Sequence, residues 1–248
     1  MLPAGMDIFE RGTSNVVWCE AIVQGYKYHP TTAELWNTAT SVVFFCIAGT
    51  FGAARAWRQG YSLAHVFSDV LLIIVGVGSA FFHATQSYAG ELLDEVPMSI
   101  MAVGYLLCVN RIHWLTTPPY RALTYGVGFG LAAIAWVAYF WLRYFEIFRV
   151  CFVFQVAYPA LISLFSGPGS PCSSGKRQWW TFLVIILVGK IAWQWERLLS
   201  DWGQCPTSEW DPRFWFHQIW HFSAAAAHVA WMSYSGPLQV RILKEKST

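Results

Sequence analysis

The sequence predicts an all-α fold, a bundle of seven transmembrane helices. Of its 248 residues, 56% are hydrophobic and only 12% are charged, whereas soluble domains carry roughly 25% charged residues. The mean hydropathy is +0.40. Each of seven apolar runs approaches the roughly 20 residues that a helix needs to cross a bilayer. The predicted spans cover residues 36–56, 63–83, 92–110, 122–141, 147–165, 179–198 and 217–235.

The connections between these runs are short, which predicts one integral-membrane domain over residues 1–248. The net charge of +2 is small, and the basic residues are scattered rather than gathered in a stripe, which argues against a nucleic-acid partner. The first 34 residues contain no apolar core of a signal peptide, so we expect the first span to direct its own insertion.

The distribution of Lys and Arg predicts the orientation, because cytosolic loops are enriched in both residues. Nine of them fall on the side of the membrane that holds the C-terminus and six on the other. We therefore expect residues 1–34 to form a lumenal N-terminal segment and residues 236–248 a cytosolic tail. The expected location is the endoplasmic reticulum or the Golgi membrane.

Three histidines lie at the ends of predicted spans. His83 closes the second span, and His217 and His221 open the seventh, four residues apart and so on one helix face. In the predicted topology all three reach one depth near the lumenal face, together with Asp94 at the start of the third span. Three imidazoles with one open coordination position are typical of a catalytic zinc site, although packed core histidines give the same pattern.

Two further residues are candidates for the chemistry. Ser79 lies one turn before His83 and could donate to an oxyanion, or it could be a small residue that lets helices pack closely. Asp94 could orient a ligand or act as a general base, and the alternative is a helix N-cap ahead of Pro97.

The other polar residues of the spans have simpler interpretations. We expect His228 to be a hydrogen-bonded core residue, and His29, His65 and His113 to lie at the surface. Lys190 could pair with an acid or extend towards the cytosol, and Glu196 could be structural or border the site.

The cysteines indicate one disulfide. Cys46, Cys108 and Cys151 fall inside spans and are expected to be buried thiols, and Cys172 is expected in a cytosolic loop. Only Cys19 and Cys205 lie on the predicted lumenal side, where disulfides persist. We favour a bridge between them, and two free thiols are the alternative.

The chain resembles the alkaline ceramidase family, within a wider group of seven-span metal hydrolases that includes the adiponectin receptors. The motifs that carry the resemblance are Trp18-Cys19-Glu20, Glu34-Leu35-Trp36-Asn37-Thr38, the block from Gly76 to Thr85, Leu92 to Met98, and Phe216 to His221.

The resemblance implies hydrolysis of the ceramide amide to a sphingoid base and a fatty acid. His83, His217 and His221 would be the zinc ligands, with Ser79 and Asp94 assisting, and no obligate protein partner is implied. The family also suggests calcium near the N-terminus, held here by the Trp18 carbonyl, Glu20 and Glu34. Val17 and Ile22 replace an Asp and an Asn of the family's pattern, which indicates a weakened calcium site.

Two other functions are compatible with the sequence. One is a seven-span receptor or scaffold with a structural or weakly active zinc site, in which Asp94 would be a fourth ligand. The other is an ion transporter, which is disfavoured because no chain of polar residues crosses the predicted bundle.

Overall fold

The computed structural model of the chain describes residues 7–110, 112, 114–165 and 175–245, and these residues are helical or irregular, without strands. A short helix, α1, covers Cys19–Gln24. Seven long helices follow: α2 Leu35–Arg58, α3 Leu63–Thr85, α4 Tyr88–Cys108, α5 Arg121–Leu142, α6 Phe145–Phe165, α7 Lys176–Asp201 and α8 Phe216–Glu245. Two 3₁₀ turns cover Trp114–Thr116 and Pro212–Trp215.

Four of the long helices are long and apolar enough to cross a membrane, by length and composition, among the described residues. They are α2, α3, α5 and the part of α6 that covers Phe145–Leu164. The all-α prediction is confirmed, and these helices mark the chain as a membrane protein. The helix α4 carries Glu91, Asp94 and Glu95 within its first eight residues, which lowers the hydropathy of that run.

The helix boundaries depart most from the predicted spans at two places. The helix α4 begins at Tyr88 rather than at residue 92, so Asp94 lies inside it and the N-cap interpretation of Asp94 is wrong. The last helix continues to Glu245, ten residues beyond the predicted end, with Pro237 inside it. Most of the segment predicted as a tail is therefore helical, and its last residues, 246–248, lie outside the described residues. His113 and Cys172 lie outside them as well.

One π-helical segment, Ser41–Cys46, interrupts α2. Such segments insert an extra residue into an α-helix and are frequent at functional sites. A side chain on Gly76 of α3 would lie 2.9 Å from Phe45 Cβ and 2.7 Å from Cys46 Sγ. The absence of that side chain lets α3 approach the π-helical segment closely.

The described residues divide into two compact units. The first comprises the described residues among 1–48, 72–97 and 184–227, and it contains every residue of the predicted site. The second comprises the described residues among 49–71, 98–183 and 228–248.

Buried polar contacts run through the second unit. His228 lies 2.7 Å from Asp69 Oδ1 through Nε2 and 3.0 Å from the Tyr105 hydroxyl through Nδ1. This confirms the interpretation of His228 as a hydrogen-bonded core residue. His65 was expected at the surface, and that expectation is wrong, because His65 is completely buried and contacts Ser62 and Ser235. His29 is exposed, as expected.

Candidate metal centre

Three buried imidazoles converge in the first unit. His83 lies in the last turn of α3, and His217 and His221 lie in the first two turns of α8. Among the described residues, these three form the group of side chains that could hold a metal ion, with ligand atoms within 4.8 Å of one another. Their ring centroids are 4.7–5.2 Å apart, and all three side chains are buried. The three histidines singled out by the sequence therefore lie together in the structure.

Each imidazole is oriented by an acceptor at Nδ1. The His83 Nδ1 contacts Glu34 Oε2, and the His217 Nδ1 lies 3.0 Å from Glu196 Oε2. The His221 Nδ1 lies 2.8 Å from Thr40 Oγ1. The Thr40 hydroxyl donates to the Trp36 carbonyl at 2.8 Å, which leaves its oxygen free to accept from His221.

These acceptors place a proton on Nδ1 of all three rings, which leaves the Nε2 lone pairs for a metal. The His83 Nε2 is buried and has no hydrogen-bond partner among the described residues. Three neutral nitrogen donors with oriented rings suit zinc. The donor set therefore fits the predicted ion.

None of these three acceptors was predicted as the partner of a histidine, and Glu34 was assigned to the calcium site. For Glu196 the sequence allows either a structural role or a place beside the site, and in the structure its carboxylate contacts His217. Its other oxygen, Oε1, accepts the Cys19 backbone N–H at 3.2 Å. Thr40 was not predicted as part of the site, because a threonine inside an apolar run does not indicate which helix it faces.

Ser79 and Asp94 lie beside the triad. Asp94 interacts electrostatically with both Ser79 and His83. The Ser79 oxygen accepts from the Ser41 hydroxyl at 3.0 Å, and that hydroxyl belongs to the π-helical segment of α2. Both residues are buried.

A close approach between α3 and α4 brings Ser79 and Asp94 together. A side chain on Gly78 would lie 2.1 Å from the Leu93 carbonyl oxygen. Pro97 has no N–H to donate to that carbonyl, which is four residues before it in α4. The two helices can therefore touch through their backbones at Gly78 and Leu93. Gly78 is next to Ser79, and Leu93 is next to Asp94.

The residues assigned to a weakened calcium site accept hydrogen bonds from the protein. Glu20 accepts the Trp36 and Asn37 backbone N–H groups at 2.6 and 2.9 Å, and the Gln218 amide at 3.0 Å. Glu34 accepts the Asn37 side-chain amide at 2.9 Å and contacts His83. Burial and the Glu34 carboxylate raise the pKa of Glu20 to about 7, against the effect of the N–H donors.

The third residue of that set, Trp18, contacts the triad directly. Its carbonyl accepts the Ile22 N–H at 3.4 Å, and its ring centroid lies 4.3 Å from that of His217. The residue after it, Cys19, forms a disulfide with Cys205, the pairing that the sequence favours. Cys108 and Cys151 are buried free thiols, as expected, whereas Cys46 is a free thiol that is only half-buried, so the expectation for Cys46 is wrong.

Lys190, left open by the sequence, has an aromatic neighbour. Its Nζ lies 3.2 Å from the centre of the Trp193 ring on the next turn of α7. A cation over an aromatic face is stabilised by the ring quadrupole.

Comparison with known proteins decides the family. The ceramidase family model matches residues 10–248. The chain belongs to the ceramidase family. It is similar to an alkaline ceramidase of Arabidopsis thaliana, with 26% identity over 84% of this chain and 77% of the relative.

Two further relatives align over shorter stretches. Alkaline ceramidase 3 of Mus musculus is 33% identical over 39% of this chain and 35% of its own length. Alkaline ceramidase YPC1 of Saccharomyces cerevisiae is 28% identical over 58% of this chain and 48% of its own length. As a member of the ceramidase family, the protein is a hydrolase that acts on amide bonds.

Proposed function

We propose that this ceramidase-family protein is a zinc-dependent membrane amidase. Its substrate would be ceramide or a related N-acyl sphingoid lipid, and its products a sphingoid base and a free fatty acid. The observation that carries the proposal is the set of three buried histidines whose Nδ1 atoms all face acceptors. The names of its relatives, which are alkaline ceramidases, support the choice of substrate.

Three protein ligands support a catalytic ion rather than a structural one. His83, His217 and His221 would hold zinc, and a structural site closes with a fourth protein ligand. Asp94 is not part of the group whose ligand atoms converge, which disfavours the receptor or scaffold alternative. When bound, zinc supplies Lewis acidity, which lowers the pKa of water and polarises a carbonyl.

Two residues beside the triad would carry out proton transfer and stabilise the oxyanion. Asp94 would take the proton of the attacking water and pass it to the amide nitrogen as that nitrogen leaves. The Ser79 hydroxyl would donate to the oxyanion of the tetrahedral intermediate. Burial of both side chains strengthens these interactions, because little water competes for them.

The membrane arrangement that we propose keeps all seven long helices as spans of one domain, residues 1–248. The long helices have 20 or more residues each, enough for a bilayer. The N-terminal segment would be lumenal, in the endoplasmic reticulum or the Golgi membrane. Calcium at Trp18, Glu20 and Glu34 stays a prediction, and a calcium titration of zinc-loaded protein tests it.

The proposed function is tested by measuring fatty-acid release and zinc content on the same purified sample, over a panel of ceramides. We expect one zinc per chain and release that a chelator abolishes. His217→Ala should lose both zinc and activity while the protein stays folded in detergent. His29→Ala, which changes an exposed histidine, is the matched control. Full activity in His217→Ala would rule out the zinc mechanism, and zinc without release would favour the receptor or scaffold.

A further inference from the structure

The segment of residues 17–28, which contains α1, contacts a proposed metal ligand and is also joined to the distant loop between α7 and α8. Trp18 contacts the ring of His217, and the Val17 carbonyl accepts the Ser200 hydroxyl at 2.8 Å. Cys19 is bonded to Cys205, 186 residues later, in the loop between α7 and α8. This segment therefore contacts the proposed zinc site through Trp18 and is bonded to the loop through Cys19.

Cys19 makes both connections with different atoms. Its Sγ forms the disulfide, and its backbone N–H donates to Glu196 Oε1 at 3.2 Å. The other oxygen of the same carboxylate faces His217 Nδ1 at 3.0 Å. Two hydrogen bonds thus separate the disulfide from the ring that would hold zinc.

The Glu196 carboxylate depends on both partners for its orientation. It is completely buried, so a lost donor is not replaced by bulk water, and an unpaired buried carboxylate is costly. If Cys19 moves, we expect the carboxylate to rotate towards other donors and release His217. Groups that orient metal ligands typically contribute 10–100-fold in metal affinity.

We propose that the Cys19–Cys205 disulfide is a positioning element for the zinc ligand His217 and acts through Glu196. This inference rests on the proposed zinc site. The positioning role belongs to the disulfide and not to other contacts between the same segment and loop, such as the hydrogen bond of the Tyr28 hydroxyl to Glu209 at 2.6 Å. That contact joins the same two parts of the chain but does not reach Glu196.

The test is a double-mutant cycle on zinc affinity, measured by competition with a chromogenic chelator. Cys205→Ser removes the bridge without substituting Cys19 itself, and Glu196→Gln removes the charge at the His217 contact. We expect each change to weaken zinc binding about 10-fold or more. Their combination should weaken it no further than Glu196→Gln alone, because both act on one path. Tyr28→Phe, the control, should leave zinc affinity unchanged.

The outcomes separate this inference from the proposed function. If the wild-type protein binds no zinc, the proposed function fails. If the wild-type protein binds zinc and Cys205→Ser binds it equally well, the positioning role is overturned. Additive losses also overturn it, because they indicate general destabilisation. If Cys205→Ser does not fold, the Cys19→Ala/Cys205→Ala pair, which keeps the core apolar, replaces it in the same cycle.

Discussion

The contact between α3 and α4 at Gly78 should be the most sensitive packing point of the enzyme. A Cβ at this position would lie 2.1 Å from the Leu93 carbonyl oxygen, whereas ordinary contact begins at 3.4 Å. The carbonyl is backbone and cannot rotate away as a side chain could. Gly78→Ala must therefore separate the two helices by about 1 Å at this point.

The expected effect of Gly78→Ala is a loss of turnover with zinc retained. Asp94 follows Leu93 on α4 and would move away from Ser79. The three histidines lie on α3 and α8 rather than on α4, so we expect their positions relative to one another to be retained. A displacement of about 1 Å of a catalytic group can cost about 100-fold in rate. Overpacking should also lower the free energy of unfolding by about 1–3 kcal/mol.

The assay is fatty-acid release under single-turnover conditions, with zinc content and thermal unfolding measured on the same samples. Gly126→Ala is the matched control, because a side chain on Gly126 of α5 would meet nothing within 4 Å. Alanine favours a helix interior by about 0.5–1 kcal/mol over glycine, so this variant should be as stable as the wild type or more so, and fully active. Full activity in Gly78→Ala, or an equal loss in both variants, would refute the reasoning.

Three other changes have distinct expected outcomes. Asp94→Asn should keep zinc but lower turnover by about 10²–10⁴-fold, because the amide cannot transfer the proton, and retained hydrolysis at neutral and alkaline pH would contradict that role. Glu34→Gln should weaken zinc binding about 10–100-fold by removing the charged acceptor of His83, and chelator competition measures this. His228→Ala should lower the free energy of unfolding by about 3–5 kcal/mol, since Asp69 stays buried without its partner. An unchanged thermal midpoint would show that the pair contributes little.

The sequence predicted the histidines of the site better than their partners. The spacing of His217 and His221 fixes their shared helix face, and the topology argument brings His83 to the same end. The acceptors came from elsewhere in the chain, and nothing in the spacing of Glu196 or Thr40 indicates which ring each faces. Such pairings depend on helix rotation and crossing, which a hydrophobic run does not determine.

Errors in the sequence analysis occurred where polar residues extend a helix or lie within one. The helix α4 begins four residues early because Glu91 and its neighbours fold into the helix although they lower its hydropathy. His65 was expected at the surface because it lies near a connection, yet Ser62 and Ser235 satisfy both ring nitrogens. A buried polar residue with partners from another helix is indistinguishable from a surface residue in one sequence.

The charges around the triad provide a reason for a divalent cation that is independent of ligand geometry. The side chains of Glu20, Glu34, Glu196 and Asp94 are buried in the first unit. Among the described residues, Glu34 and Glu196 form their ion pairs with His83 and His217, whereas Arg pairs with acids that are partly exposed. A neutral imidazole orients a carboxylate but does not offset its charge. A dication on the three Nε2 atoms would offset the charges of Glu34 and Glu196, and it favours the Nδ1-protonated rings that these carboxylates require.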